Sequence, residues 1–243
     1  MLIGGYPIRT GSNHELRGVR FYTCVKRTTR QTCYGYGGVA VYCDPRRYPK
    51  TIAVSPRFTV AIGCHPKTVT NLTPEKEQQL QQLLKHPRVA LGYIGLDWTE
   101  PVQTWDLQRT VFRRLLSSSC TRRPLVLQLR DGRQNQGVLS RALEQVRRDC
   151  SQNQLIHLHC FTGDVEDLRH WQEAFPLCYF GFTGLVFQFS ALRRVPSTRL
   201  LLETDSPHLH PEEQLTTVDW NSGPSCCLSA QSGCPSAGLG SLP

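Results

Sequence analysis

Residues 89–129 read VALGYIGLDWTEPVQTWDLQRTVFRRLLSSSCTRRPLVLQL. Two short β-rich runs, Val89–Leu96 and Pro124–Leu129, bracket a helical pattern from about Thr104 to Ser118. Within that pattern Leu107, Val111, Phe112 and Leu115 fall at helical spacing, which predicts that they face inward. Apolar runs such as PLVL leave no polar face. A strand of that kind belongs in a parallel sheet covered by helices on its outer side.

The same alternation extends in both directions. Before this unit, Val39–Cys43 and Phe58–Gly63 read as strands, and Thr73 caps a helix with Pro74 in its first position. After it come a helix over Gln136–Asp149, with Val138, Leu139, Ala142, Leu143 and Val146 inward, a strand over Leu155–Phe161, and a helix over Val165–Phe175. Strands at Leu177–Phe182 and Arg199–Thr204 complete the series. Seven strands with intervening helices predict an α/β fold of the (β/α)8, TIM-barrel-like type. A doubly wound sheet is the alternative.

The chain has 243 residues, of which 39% are hydrophobic, enough for a core and too many for wholesale disorder. The net charge of +9 is concentrated at one end. Residues 1–50 hold nine Lys/Arg and two Asp/Glu. Residues 1–38 form a basic segment with one plausible strand, Val19–Val25; residues 39–210 are the expected barrel; residues 211–243 are expected to be a disordered tail rich in Ser, Gly, Pro and Cys. The eleven cysteines are scattered without a metal-knuckle spacing and no apolar leader opens the chain. Both features predict reduced thiols and an intracellular protein, cytoplasmic or nuclear. Residues 174–192 carry no charge, but Pro176, Gly181 and Gly184 break them into two pieces, so no membrane span is expected.

In a barrel, chemistry gathers where strands end. His65 follows one strand, Asp97 the next, Arg130 and Asp131 another. His157 and His159, two apart, share one face of a fourth. Glu203 and Asp205 close the last. Neutral imidazole and carboxylate are common metal ligands.

In this order the segments AIGCHP (61–66), ALGYIGLDW (90–98), PLVLQLRD (124–131), LIHLHCFTG (155–163), GFTG (181–184) and LLLETDSPHL (200–209), with Asp44-Pro45 ahead of them, resemble the TatD-type deoxyribonuclease family over roughly residues 38–210. The resemblance implies a barrel hydrolase that uses one or two divalent metals (Mg2+, Mn2+ or Zn2+) to cut phosphodiester bonds. It also implies which residues matter. His159 and Asp205 stand where the family places metal ligands and are the expected catalytic pair, with His157 as an additional candidate. His65 matches a histidine beside the site and, with Arg130, is expected to touch phosphate. Tyr93 replaces the family's metal-binding Glu and Gln128 its His, and no His-x-His precedes residue 38.

A phenol and a carboxamide are poor substitutes for a carboxylate and an imidazole. The expectation is therefore a family member with a depleted metal site and no firmly bound cofactor, inactive or strongly impaired, and monomeric. The barrel is expected to be incomplete at its first strand and final helix, and marginally stable. Two alternatives stand beside this reading. One is an active metal-dependent nuclease using a rebuilt site drawn from His65, His157, His159, Asp205 and His208, with Asp97 or Glu203 adding a carboxylate; against that, Glu203 would simply pair with an Arg such as Arg130. The other is a non-catalytic protein that binds DNA or RNA through its basic N-terminal segment.

Overall fold

A computed structural model describes residues 20–22, 38–52, 58–117, 123–132, 136–183 and 190–203. Eight strands lie side by side in chain order: β1 Arg20–Tyr22, β2 Gly38–Tyr42, β3 Phe58–Ile62, β4 Val89–Asp97, β5 Leu125–Arg130, β6 Ile156–His159, β7 Cys178–Phe182 and β8 Leu200–Leu202. From β2 to β8 every neighbouring pair is parallel; β1 alone runs antiparallel, against β2. The helices are α1 Pro74–Leu84, α2 Trp105–Ser117, α3 Val138–Asp149 and α4 Val165–Ala174. Seven parallel strands in sequence order with helical crossovers make a curled, barrel-like sheet. Among the described residues no pairing of β8 with β1 closes it, so the fold matches the expected incomplete barrel.

Local chemistry places the helices. Thr73 accepts a hydrogen bond from Lys76 N at 3.3 Å, and Pro74 opens α1. Asp164 accepts from Glu166 N and Asp167 N, while Asp167 returns a bond to Asp164 N, a closed capping box for α4. Asp131 does more than a cap. Its two oxygens accept from the backbone N–H groups of Gly132, Gln136, Gly137 and Val138, tying the end of β5 to the start of α3.

The apolar residues divide into two clusters. The larger joins the outward side chains of the strands, among them Ile62, Leu91, Leu125, Leu127, Leu158 and Phe180, to the buried faces of the four helices. The smaller is Val41, Ala61, Ala90, Tyr93 and Val126, on the opposite side of the same strands. It marks the lumen. Along β6, Ile156 and Leu158 belong to the outer cluster, so the alternation of a strand turns His157 and His159 inward.

Two expectations need correction. Leu107 of α2 is 39% exposed, and the buried position beside it is Gln108. Gln108 Oε1 accepts from Asp97 N at 2.8 Å and its Nε2 donates to Asp97 O at 3.1 Å, so a polar side chain clamps the end of β4. The helix expected to run to Phe175 ends at Ala174 with Phe175 as its cap, and the strand expected from Leu177 starts at Cys178. Among the described residues no helix is long and apolar enough to cross a membrane. The tail and the basic segment, β1 apart, lie outside the described residues.

Candidate metal centre

The site is built where β4, β5, β6 and the end of β8 face one another. On β4 the register against β5 slips between Gly92 and Ile94, so Tyr93 is an extra residue in the ladder. The bulge turns the Tyr93 ring into the lumen with Val41, Ala61 and Val126. The backbone approach is close: a Cβ on Gly95, whose φ is +150°, would stand 2.0 Å from the Gln128 carbonyl oxygen. Only glycine fits there.

Tyr93 then meets His159. The phenol oxygen lies 3.2 Å from His159 Nδ1, and the ring centroids are 4.4 Å apart. The other ring nitrogen, Nε2, has the Cys160 sulfur 3.3 Å away. Gln128, 4% exposed, stands directly opposite His159 in the β5–β6 register.

Glu203 completes the group. It follows β8 and is 2% exposed. Its Oε1 contacts His157 Nε2 and lies 3.0 Å from His159 Nδ1. Its Oε2 accepts from Cys160 N at 2.8 Å, which the left-handed turn at Cys160 (φ 47°) presents toward it. The carboxyl fits because residue 181 has no side chain: a Cβ on Gly181 would stand 2.3 Å from Glu203 Cδ. Burial alone would push the Glu203 carboxyl up, but the imidazoles of His159 and His157 outweigh it and hold the group well below the usual carboxylate range. The ligand atoms of His157, His159 and Glu203 all lie within 4.8 Å of one another, the spacing of donors that share an ion.

The expected site residues thus meet different ends. His157 and His159 come together, and Tyr93 and Gln128 line the same lumen. Glu203 pairs with the two histidines, not with Arg130, which corrects the arginine reading. Its signal was present in the sequence: Glu203 closes the last strand-like run, where the chemistry of a barrel gathers. His65 caps the 3₁₀ turn Pro66–Asn71, its Nδ1 accepting from Lys67 N at 3.1 Å. Arg130 ends β5 beside Asp97 in register. Asp97 is fully buried; its Oδ1 accepts from Thr99 N at 3.0 Å, and Lys67 Nζ stands 3.8 Å from its Oδ2. Asp205 and His208 lie outside the described residues.

Known proteins give this arrangement a context. The human 3'-5' RNA nuclease TATDN2 is 31% identical over 193 residues, covering 73% of this chain and 24% of that protein. The 3'-5' ssDNA/RNA exonuclease TatD of Enterobacter lignolyticus is 31% identical over 166 residues, 62% of this chain and 58% of that protein. This chain therefore spans about a quarter of the human relative and under two thirds of the bacterial one. Among solved structures, the TatD homologue YJJV of Escherichia coli K12 superposes with a TM-score of 0.59 at 21% identity, over 70% of this chain and 68% of that one, a likeness of fold. The sequence profile of the TatD related DNases matches residues 31–221, a span that runs through every parallel strand and the lumen residues just described, and on that match the chain belongs to the TatD related DNase family.

Proposed function

We propose that this chain is a phosphodiesterase-family protein whose hydrolytic centre is depleted, so that cleavage of DNA and RNA is absent or strongly impaired. One observation carries the reading. The residue that the β4 bulge delivers beside His159 is the phenol of Tyr93, 3.2 Å from Nδ1. A paired-metal mechanism needs an anionic oxygen there to bridge two ions. A phenol offers a hydrogen bond in place of that bridging charge. Gln128, opposite His159, is a carboxamide and adds no anion. These donors do not fit a bridged pair of cations, and no hydrolytic step is derived through one.

The relatives named for 3'-5' RNA and single-stranded DNA cleavage set the substrates for the test. Purified protein is incubated with labelled single-stranded DNA and RNA in Mg2+ and in Mn2+. The expected rate equals the protein-free background. Metal-dependent cleavage that disappears in His159→Ala and in Asp205→Ala would overturn the reading.

A second reading rests on the convergence of His157, His159 and Glu203: an active nuclease around a rebuilt single-ion site. Its signature is cleavage in Zn2+ or Mn2+ that survives Asp205→Ala and fails in Glu203→Gln. Nucleic-acid binding through residues 1–38 is a separate proposal, motivated by their charge. It predicts affinity that falls steeply with salt and is lost when those residues are removed.

A further inference from the structure

We propose that His157, His159 and Glu203 form a buried mononuclear site for a transition-metal cation of the Zn2+ class. The site reaches one residue layer deeper into the lumen than the ligand positions implied by the family resemblance, because His157 sits two residues before His159 on β6. Of the three ligands only His159 coincides with those positions.

Glu203 Oε1 belongs to a residue 2% exposed and has imidazole nitrogens against it on two sides. Oε1 and His157 Nε2 meet each other as an ion pair, and His159 Nδ1 stands 3.0 Å from the same oxygen, so three donor atoms crowd one buried point. Buried charges persist only where they are paired or hold a metal. A cation held by Oε1, His157 Nε2 and His159 Nδ1 turns the same lone pairs into ligands, and their mutual separations, within 4.8 Å, suit it.

The surroundings hold the ligands in place. Cys160 N fixes Oε2 at 2.8 Å, leaving Oε1 directed at the imidazoles. The absent side chain at Gly181 gives the carboxyl its room. Such supporting contacts orient metal ligands and tune their affinity. The donor set decides the metal. Two imidazoles and one carboxylate are the ligands of three-residue zinc sites, and suit Co2+ and Ni2+ as well. Mg2+ prefers an octahedron of oxygens and keeps its waters, so a buried N2O set disfavours it.

This inference does not rest on the nuclease reading, and its readouts are independent of cleavage. The full chain is purified without a histidine tag, stripped with chelator, and titrated with Co2+, whose visible d–d bands report nitrogen and oxygen coordination; Zn2+ is then added in competition. The expected result is about one Co2+ per chain, displaced by Zn2+ and unaffected by excess Mg2+. His157→Gln and Glu203→Gln should each weaken binding by roughly tenfold or more, and Asp205→Asn should leave it unchanged. Circular dichroism confirms that each variant is folded; should Glu203→Gln fail to fold, the wild-type spectrum and His157→Gln decide. Wild-type protein that takes up neither Co2+ nor Zn2+ overturns the proposal, leaving a histidine–carboxylate pair with a purely structural role. Binding abolished by Asp205→Asn and untouched by His157→Gln also overturns it, because the ion would then sit at the family position.

Discussion

Gly181→Ala places a methyl where the Glu203 carboxyl lies. The new Cβ would stand 2.3 Å from Cδ and Oε1 and 2.4 Å from Oε2. Carbon atoms pack comfortably at about 3.5–4.0 Å, so the carboxyl must withdraw by about 1.2 Å. The Cys160 N–Oε2 hydrogen bond, now 2.8 Å, would open to about 4 Å and cease to be one. Overpacking costs about 1–3 kcal/mol, and a buried N–H stripped of its acceptor costs about 1–3 kcal/mol. We expect a loss of about 3–4 kcal/mol, or a melting midpoint lower by about 10 °C for a domain of this size. Urea unfolding followed by tryptophan fluorescence measures it. The decisive control is Glu203→Ala, which empties the space. In that background Gly181→Ala should cost no more than about 0.5 kcal/mol, giving a coupling of about 2.5–4 kcal/mol between the two positions. Equal costs in both backgrounds would refute the account, because the methyl would then be meeting something other than the carboxyl.

Asp131→Ala should destabilise the domain by about 3 kcal/mol, since four backbone N–H groups lose their acceptor at once; Asp131→Asn, which keeps one acceptor oxygen, should lose about half of that in the same denaturation assay. Gln108→Leu should cost about 1–3 kcal/mol, because Asp97 N loses its acceptor beneath α2 and Asp97 O keeps only the long bond from Glu100 N. Burial pushes the Cys64 thiol up to about 12, with Thr68 opposing it weakly. The unfolded chain then releases that proton first, so stability is intact below about pH 8.5 and falls by about 1.4 kcal/mol per pH unit from there toward 12; Cys64→Ala should flatten that slope in melts run at pH 8, 9 and 10. Thr73→Ala removes the cap of α1 and should cost about 1 kcal/mol, a midpoint shift of about 2–4 °C.

The order of strands and helices was legible because each signal was local. The runs at 124–127 and 200–202 have no polar face, Thr73-Pro74 announces a helix start, and both histidines of β6 share a face by simple alternation. What escaped the sequence depended on contacts between distant segments. Leu107 and Gln108 are neighbours on α2, and helical spacing favours the leucine for the interior. The glutamine takes it because the end of β4 leaves an N–H and a carbonyl that need partners. The partner of Glu203 was equally hidden. An arginine is the usual companion of a buried carboxylate, and only the proximity of β6 and β8 around the side-chain-free Gly181 substitutes two imidazoles. The bulge at Tyr93 leaves no mark in the hydrophobic pattern, since one inserted residue in an apolar run looks like continuation.

The division of the apolar residues has an evolutionary reach. Among the described residues most of the hydrophobic mass lies between the strands and their helices, whereas the lumen cluster is four small or medium side chains and the Tyr93 ring. Cohesion and chemistry are thereby assigned to opposite sides of one sheet. Lumen positions can drift from acid to phenol, or from imidazole to amide, while the scaffold that carries them keeps most of its anchoring. A lineage with this architecture is free to lose one reaction and try another without first having to solve the folding problem again.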